Sequence, residues 1–434
     1  MNKKERSFKY ISLGTILALI LTILTIGSFF LIIPLLTNTN SINEDISNFS
    51  TGVYESTNDL IKAFSTTPTT IPKNAVSVTT NNNTTIQNSS IPSNASFSLS
   101  LAGNIRFNQK TVERLQSQTP TLNLFKNVQN LYKADLSIAT LCNTAIPNTP
   151  ISDTNIPVSI LKDIQSAGIT MLNLNHYNPL SAGITGLAQT KNQIKQQGMT
   201  PYGLYSSPEE RSTGTYQVID GIKIAFLGFQ NEMSTESKKQ VSSQELDIIS
   251  NSLTLPTIEK EIAQAKAQGA HIIVVSLSWG ELSSTAPSNI QKELAQSIAD
   301  AGADIIIGSH PNALQTVEIL TAQRDDRMYH PVLCAYSLGN IYTHDRERRE
   351  NLAGAILNLL VYYNFETNTI SFDNLTYKPT YAWRGTNEQN NTIYSILPNQ
   401  LPYPSFVDDS QSGVMARSYD TIKAVMENTD FIEN

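Results

Sequence analysis

The stretch from His271 to Gln315 limits the fold more than any other part of the sequence. It contains two runs rich in apolar, β-branched residues, His271–Gly280 and Ala303–Gln315, with a helical segment between them. Two such runs joined through a helix are typical of parallel strands, whose carboxyl ends lie at one edge of a sheet. Each run contains Gly and small polar residues at its end. We therefore expect the functional residues at these strand ends.

A helical pattern that stops at Gly and is followed by a short apolar run occurs four times. The helical patterns are Ile160 to Gly168, Leu187 to Gly198, Ile258 to Gly269 and Ile290 to Gly302, and the apolar runs are 169–174, 199–202, 271–277 and 303–308. Gly adopts the left-handed conformation that ends a helix, so the repetition indicates βαβ connections. A capping box of Ser288 and Gln291 is predicted at the start of the last helix.

The remaining patterns predict strands without long helices between them. They are an alternating strand at Phe97–Gly103, a hairpin over 215–227 that turns at Asp220-Gly221, strands at 316–320, 331–337, 355–363 and 369–377, and a short helix at Tyr419–Met426. The hairpin follows from the Asp-Gly turn. Together the patterns predict a mixed α/β (α+β) fold, with two sheets packed face to face as a β-sandwich and helices outside.

The N-terminal region predicts a membrane anchor. Residues 1–10 carry four basic side chains, and Ile11–Leu36 is a run of 26 residues without a charge. That run exceeds the roughly 20 residues that span a bilayer, and the basic side stays in the cytoplasm. We therefore expect one uncleaved transmembrane helix in the cell membrane, with the rest of the chain outside the cytoplasm. A cleaved signal sequence is the alternative, although no small-x-small cleavage site follows the run.

The region between the anchor and the folded domain is polar. Its first part, from Ile42 to Ala63, has apolar or small residues at spacings of three and four, which fits either a short coiled coil or an amphipathic helix near the membrane. Residues 65–95 are dominated by Thr, Asn, Ser and Pro, which predicts a flexible linker. The predicted organisation is a cytoplasmic segment at 1–10, the anchor at 11–36, a helix and linker at 37–95, a folded domain at 96–385 and a C-terminal extension at 386–434.

Composition excludes several functional classes. The net charge of −7 gives no basic footprint, so we expect no nucleic-acid partner. Cys142 and Cys334 are too few for a disulfide framework or a Cys-based zinc site. Each lies in an apolar run, which favours free buried thiols, and one disulfide between them is the alternative. The sequence lacks a Walker loop, a Rossmann fingerprint, a His-Glu-x-x-His zinc motif and a Gly-x-Ser-x-Gly elbow.

Several short motifs, in order along the chain, resemble one known family. They are Ala102–Ile105, Asn175-His176, Gly221–Gly228, Ser278–Gly280, Ala301–Asp304, Gly308–Gln315 and Tyr336–Asn340. They resemble the CapA/PgsA family, which makes extracellular poly-γ-glutamate or capsule polymer and has a calcineurin-like metallophosphoesterase fold. The resemblance covers about residues 96–385, and members are commonly tethered by one N-terminal helix.

The resemblance implies a strand-end site for two divalent ions, but most ligand positions have changed. Asn104 stands where the family usually has Asp, Cys142 where it has Glu, and Ser278 and Asn312 where it has His. The matching residues that remain are Asn175, His176 and His310, and Asn340 is the last residue of the last motif. These eight residues form the predicted degenerate site, in which no residue is assigned a catalytic role.

Neutral amides and hydroxyls do not offset the charge of two divalent ions, so we expect no two-metal centre. A residual divalent ion held by Asn175, His176 and His310 is one alternative. A site restored by the carboxylates of Glu281 or Asp345 is another, and His176 and His310 can also be ordinary hydrogen-bonded residues.

The expected function is assistance in the synthesis, export or anchoring of an anionic capsule polymer such as poly-γ-glutamate, without hydrolytic activity. The expected partners are the membrane, through Ile11–Leu36, together with the polymer and the membrane subunits of a polymer synthase. Two alternatives are a metal-dependent phosphoesterase with a remodelled site and a non-catalytic ligand-binding module.

Overall fold

The computed structural model describes residues 93–117, 123–324, 328–386 and 390–434. The predicted transmembrane helix at Ile11–Leu36, the helical segment at 42–63 and nearly all of the predicted linker lie outside these ranges. None of the helices within the described ranges combines the length and the hydropathy of a bilayer span.

Within the described ranges the chain forms two β-sheets. Their strands are β1 Asn94–Arg106, β2 Leu136–Leu141, β3 Met171–Asn173, β4 Thr200–Tyr202, β5 Tyr216–Ile219, β6 Ile222–Gln230, β7 Ile272–Ser278, β8 Ile305–Ser309, β9 Val317–Ala322, β10 His330–Ala335, β11 Asn340–Thr343, β12 Ala353–Asn364, β13 Thr369–Thr386, β14 Thr392–Pro398 and β15 Ile432–Glu433.

Helices connect many of these strands. The α-helices are α1 Gln109–Gln116, α2 Val158–Ser166, α3 Gly183–Gln196, α4 Pro208–Thr213, α5 Thr235–Lys238, α6 Ser243–Ile249, α7 Leu255–Ala267, α8 Asn289–Ala301 and α9 Asp409–Met426, and two short 3₁₀ helices lie at Gln129–Tyr132 and Arg349–Leu352.

The first sheet has the strand order β14-β13-β12-β1-β2-β3-β4, with β11 beside β1 and β15 beside β13. Strands β1 to β4 run parallel to one another, and β11 is parallel to β1. The second sheet has the order β5-β6-β7-β8-β10-β9, and its central strands β6, β7, β8 and β10 are parallel. Both sheets therefore have an edge at which several parallel strands end.

The two sheets pack against each other through a shared apolar core. Leu99 and Leu101 of the first sheet and Phe226 and Val274 of the second belong to one buried cluster. A separate cluster joins the first sheet to α1, α2 and α3, and another joins the second sheet to α7 and α8. The predicted mixed α/β fold of two packed sheets with helices outside is confirmed.

The predicted helix ends and turns are also confirmed. Gly168, Gly198, Gly269 and Gly302 have positive φ angles of 103°, 77°, 82° and 116°, and each lies just after a helix. The capping box at the start of α8 is present, since the Ser288 side chain accepts from the backbone N–H of Gln291 and the Gln291 side chain accepts from that of Ser288. The β5–β6 hairpin turns at Asp220-Gly221, where both φ angles are positive.

The C-terminal part differs from the prediction. Helix α9 begins at Asp409 rather than at Tyr419, because Asp408 caps it by accepting from the N–H of Gln411. Its buried residues follow helical spacing although one of them, Ser418, is polar: Met415, Ser418, Ile422 and Met426. Strand β13 continues to Thr386, nine residues beyond its predicted end, and pairs there with β14. The segment predicted as an extension thus adds a strand to the first sheet.

Candidate functional site

A cleft of about 620 Å³ lies where parallel strands of both sheets end. The first sheet contributes residues at or just after the ends of β1, β2 and β3, and the second contributes residues at or just after the ends of β6, β7 and β8. The segment after β11 borders a third side. This is the edge at which the sequence predicted the functional residues.

Six of the eight predicted site residues line this cleft: Asn104, Cys142, His176, Ser278, His310 and Asn312. The other two, Asn175 and Asn340, are buried outside its lining. The amide of Asn175 donates to the carbonyl of Phe229. The amide of Asn340 donates to the carbonyls of Asn312 and Asn351, at 2.9 and 2.8 Å. The structure thus places these two behind the cleft wall, where they hold its loops.

A close approach of two glycines positions Asn104 and Asn340. A Cβ atom on Gly103 would lie only 2.1 Å from the carbonyl oxygen of Gly339, and the N–H of Asn104 donates to that same oxygen at 3.0 Å. Strand β11 can therefore lie against the end of β1 only because position 103 has no side chain. The amide of Asn104 then reaches Oδ1 of Asn312 at 3.2 Å.

Both histidines of the cleft are held neutral by burial. Burial and, to a smaller extent, the nearby Arg106 together lower the pKa of His176 to about 3. Nδ1 of His176 accepts from the N–H of Asn178 at 3.2 Å. Burial also lowers the pKa of His310, while Glu232 acts in the opposite direction. Each ring therefore offers a neutral nitrogen at pH 7.

The backbone of His310 is strained, and its ring lies beside an aromatic side chain. Its φ angle is 90°, in a region that side chains other than Gly rarely adopt. The ring of Tyr177 lies 6.1 Å away between centroids and is 47% exposed. Leu282, which is 63% exposed, lines the same cleft, so the cleft offers apolar as well as polar contacts.

Several charged residues of the cleft were not predicted from the sequence. The lining includes two guanidinium groups, Arg106 and Arg348, and three unpredicted carboxylates, Asp153, Glu232 and Glu347. One signal was available, because Arg106 lies two residues after Asn104 and alternate residues of a strand share a face. The carboxylates come from loops, where no such periodicity exists.

Of the two carboxylates considered as replacements, Asp345 lines the cleft and Glu281 does not. Asp345 is engaged in its own loop, since it accepts from the N–H of Glu347 and the amide of Asn351.

The two cysteines are free thiols, as the apolar runs predicted. Cys142 is partly exposed at the cleft, and burial raises the pKa of its thiol to about 11 while Arg106 opposes the shift. Cys334 is fully buried, and burial raises its thiol pKa as well. Neither residue is a thiolate at neutral pH, and the alternative of a disulfide between them is wrong.

The side chains present do not fit a centre of two divalent ions. Asn175, His176 and His310, which could hold one ion, supply neutral donors only. Oδ1 of Asn175 is buried without a hydrogen-bond partner, so it is one oxygen available to a cation. Across the described ranges, however, no three His, Cys, Asp or Glu side chains come together in the way that a metal site requires. Arg106, moreover, brings a fixed positive charge close to His176.

The fold and this cleft define a two-sheet mixed α/β protein with a polar site at the ends of its parallel strands. The family model described as bacterial capsule synthesis protein PGA_cap matches residues 98–345, more than half of the chain. The chain belongs to this family, as its motifs predicted.

Two curated relatives are capsule proteins. The chain is 30% identical over 199 residues to a capsule biosynthesis protein CapA of Bacillus anthracis, a match that covers 44% of each chain. It is 27% identical over 254 residues to the PGA biosynthesis protein CapA of Bacillus subtilis (strain 168), covering 56% of this chain and 62% of that one. The matches thus span less than two thirds of either relative.

Two solved structures overlap more loosely. A novel phosphatase of Mycoplasma pneumoniae has 10% identity and a TM-score of 0.39, with 72% of this chain and 98% of that chain covered. A hypothetical protein of Thermus thermophilus has 9% identity and a TM-score of 0.35, with 65% and 99% covered. Overlaps this low carry no information about the chemistry of the cleft.

Proposed function

We propose that this protein is a membrane-anchored, extracytoplasmic member of the capsule synthesis family. In this proposal it assists the synthesis, export or anchoring of an anionic capsule polymer such as poly-γ-glutamate. The observation that carries the proposal is the family match over residues 98–345, which includes every residue of the cleft except those after Asp345. The names of the two Bacillus relatives support the same role.

The role is tested by deleting the gene in its native host and measuring the capsule polymer on washed cells. For poly-γ-glutamate, the measurement is glutamate released by acid hydrolysis of the surface fraction. We expect the deletion to lower surface polymer and the wild-type gene to restore it. Unchanged surface polymer in the deletion strain would refute the capsule role.

The anchor is part of the proposal and rests on the uncharged run Ile11–Leu36 behind four basic residues. Protease added to intact cells with a permeable wall should remove the chain beyond about residue 65 and spare the anchor. Lysed cells serve as the control, since both sides of the membrane are then open to protease. A domain that is protected in intact cells and digested after lysis would contradict the orientation.

We also infer that the protein acts without two-metal phosphoesterase chemistry. The support is the neutral contact of Asn104 with Asn312 at positions where the family has metal ligands, and the guanidinium of Arg106 nearby. The purified chain should bind well under two equivalents of Mn²⁺ or Zn²⁺ and should not cleave simple phosphoesters when either ion is added. Two tightly held ions per chain, or turnover that His310→Ala abolishes, would overturn this inference.

One observation favours a second candidate, a hydrolase with a remodelled site. Oδ1 of Asn175 and Oδ1 of Asn340 are buried without hydrogen-bond partners, and Asp345 lines the cleft nearby. A metal-dependent activity that is lost in Asp345→Asn but kept in Glu281→Gln, which lies outside the cleft lining, would favour this candidate.

A further inference from the structure

The charges of the cleft do not suit a ligand of one sign. Two guanidinium groups face four carboxylates, so the lining has an acidic excess of two: Arg106 and Arg348 against Asp153, Glu232, Asp345 and Glu347. The acidic excess would repel a run of carboxylates or a phosphate dianion. The guanidinium groups would repel a bare divalent cation. A ligand that carries both charges would find an oppositely charged partner for each of them.

The positive groups of the cleft include Arg106, which is free to bind a ligand. Arg106 is exposed and forms no ion pair within the described residues, although carboxylates line the same cleft. It lies at the end of β1, close to Cys142 and His176, both of which it influences electrostatically. A guanidinium in this setting can bind a carboxylate through two parallel N–H···O bonds.

Glu232 is a free carboxylate on the opposite sheet. It follows β6 in the second sheet, is exposed, and forms no ion pair or side-chain hydrogen bond within the described ranges. It lies near His310, whose pKa it influences. By contrast, Asp153 accepts from the N–H of Gln109 at the start of α1, and Asp345 accepts from the N–H of Glu347. Glu347 and Arg348 are also exposed and form no ion pair within the described ranges, but both lie in the segment after β11. The first sheet therefore supplies a free cation to the cleft, and the second supplies a free anion.

We propose that the cleft binds a zwitterionic α-amino carboxylate, with its carboxylate on Arg106 and its ammonium on Glu232. In a γ-linked glutamate polymer, only the amino-terminal unit carries both groups, whereas every internal unit has a carboxylate and no amine. The proposed ligand is thus the amino-terminal unit of the polymer and not its internal units. This inference rests on the proposed function for the identity of the polymer.

The other features of the cleft suit such a ligand. The cavity of about 620 Å³ lies within the range of roughly 300–1,000 Å³ that is usual for small-molecule sites. Ser278 and Ser309 add hydroxyl groups that can hydrogen-bond an amide. The exposed ring of Tyr177 and the exposed side chain of Leu282 can pack against the methylene groups of a glutamyl unit.

The test compares two ligands on the purified full-length chain in mild detergent. The first is γ-glutamylglutamate, in both its L and D forms, and the second is the same dipeptide with its amine acetylated. Binding is measured by isothermal titration calorimetry at low salt. Acetylation removes the ammonium and keeps every carboxylate, so we expect it to weaken binding about tenfold or more.

Variants connect each charge to its residue. Arg106→Gln should weaken both dipeptides about tenfold or more, whereas Glu232→Gln should weaken the free dipeptide and should not weaken the acetylated one, which has no ammonium for Glu232 to bind. Lys292→Gln, an exposed change on α8, is the matched control and should alter neither. Thermal unfolding of each variant verifies that it is folded, and the exposed positions of Arg106 and Glu232 favour this.

Three results would overturn the inference: no binding of either dipeptide, equal binding of the two, or tighter binding of the free dipeptide after Glu232→Gln. The last result would show that Glu232 does not bind the ammonium. Different results would refute the ligand inference and the capsule role. Surface polymer lost on deletion without dipeptide binding refutes only the inference. Unchanged polymer together with Glu232-dependent binding refutes only the role.

Discussion

The side-chain amide of Asn104 donates to Oδ1 of Asn312 at 3.2 Å, which joins the end of β1 in the first sheet to the turn after β8 in the second. The family resemblance places metal ligands at both positions. In this chain, two neutral amides bind each other there. The contact joins the two walls of the cleft through neutral groups, so a charged substitution at either position would disturb it.

Asn104→Asp should destabilise the protein at pH 7.5 by about 1–3 kcal/mol, because a buried carboxylate cannot donate to Oδ1 of Asn312. Burial should raise the folded pKa of the new carboxyl group above its unfolded value. The loss should therefore shrink as the pH falls toward 4.5, since the protonated acid can donate. Urea unfolding of variant and wild type at both pH values measures this difference, and the variant should gain no phosphoesterase activity.

Asn312→Ala is the control for this change, because it removes the acceptor without adding a charge. Its cost should be independent of pH. An Asn104→Asp chain that equals the wild type in stability at pH 7.5 would show that the amide contact contributes nothing.

Gly103→Ala should be far more disruptive than an ordinary Gly→Ala change. The new Cβ would lie 2.1 Å from the carbonyl oxygen of Gly339, which is backbone and cannot rotate away. We expect a loss of about 3 kcal/mol or more, or failure to fold. Gly413→Ala on α9 is the matched control, because its Cβ would meet only Arg417 at 3.7 Å. That change should stabilise the helix by roughly 0.5–1 kcal/mol. Equal melting temperatures for the two variants would contradict the close approach.

The protein should lose stability in mild acid through His176. Burial lowers its folded pKa to about 3, below the usual value of 6.5. Such a group contributes stability that is present above pH 6.5 and is lost as the pH falls from 6.5 toward 3, at up to about 1.4 kcal/mol per pH unit. His176→Gln should flatten this part of the profile. The free energy of unfolding in urea at pH 7.5, 6, 5 and 4 provides the measurement, and parallel profiles for variant and wild type would contradict the assignment.

Cys142 should react slowly with iodoacetamide although it borders an open cleft. A thiol with a pKa of about 11 contains far less thiolate at pH 7.5 than an ordinary cysteine, so its alkylation should be about a hundredfold slower or more. Arg106→Gln should slow it further, because Arg106 lowers the pKa of this thiol. A Cys334→Ser background leaves one thiol to follow by mass spectrometry. Rapid labelling of the native chain would show that burial does not protect the thiol.

Much of the architecture was predictable because local chemistry agrees with the fold. The glycines after α2, α3, α7 and α8 end helices by the same backbone conformation, and the Asp220-Gly221 turn sets its hairpin. Strand β14 was missed because Thr392–Pro398 follows a stretch rich in Asn and has no clear alternation. Its place in the sheet depends on pairing with β13, which is a tertiary interaction.

The sequence grouped six residues that line one cleft, but it did not predict the charged residues of that cleft. The strand-end rule predicted that Ser278 and His310 lie at one edge, because parallel strands bring their carboxyl ends together, and the family resemblance added Asn104. The rule does not determine where a side chain points, so Asn175 and Asn340 turned out to be buried outside the lining. Glu232 lines the cleft because the loop after β6 passes it, and no local sequence pattern predicts the path of that loop.

The cleft has one wall on each sheet, so its width depends on the gap between the sheets. That gap is roughly 10 Å in packed sheets and depends on the side chains that fill it. Phe97 and Phe226, which are 2% and 1% exposed, belong to the apolar filling between the two sheets. Substitutions at such positions would widen or narrow the cleft without altering any residue that a ligand contacts. Ligand preference among related chains can therefore diverge through interior volume while the lining stays the same.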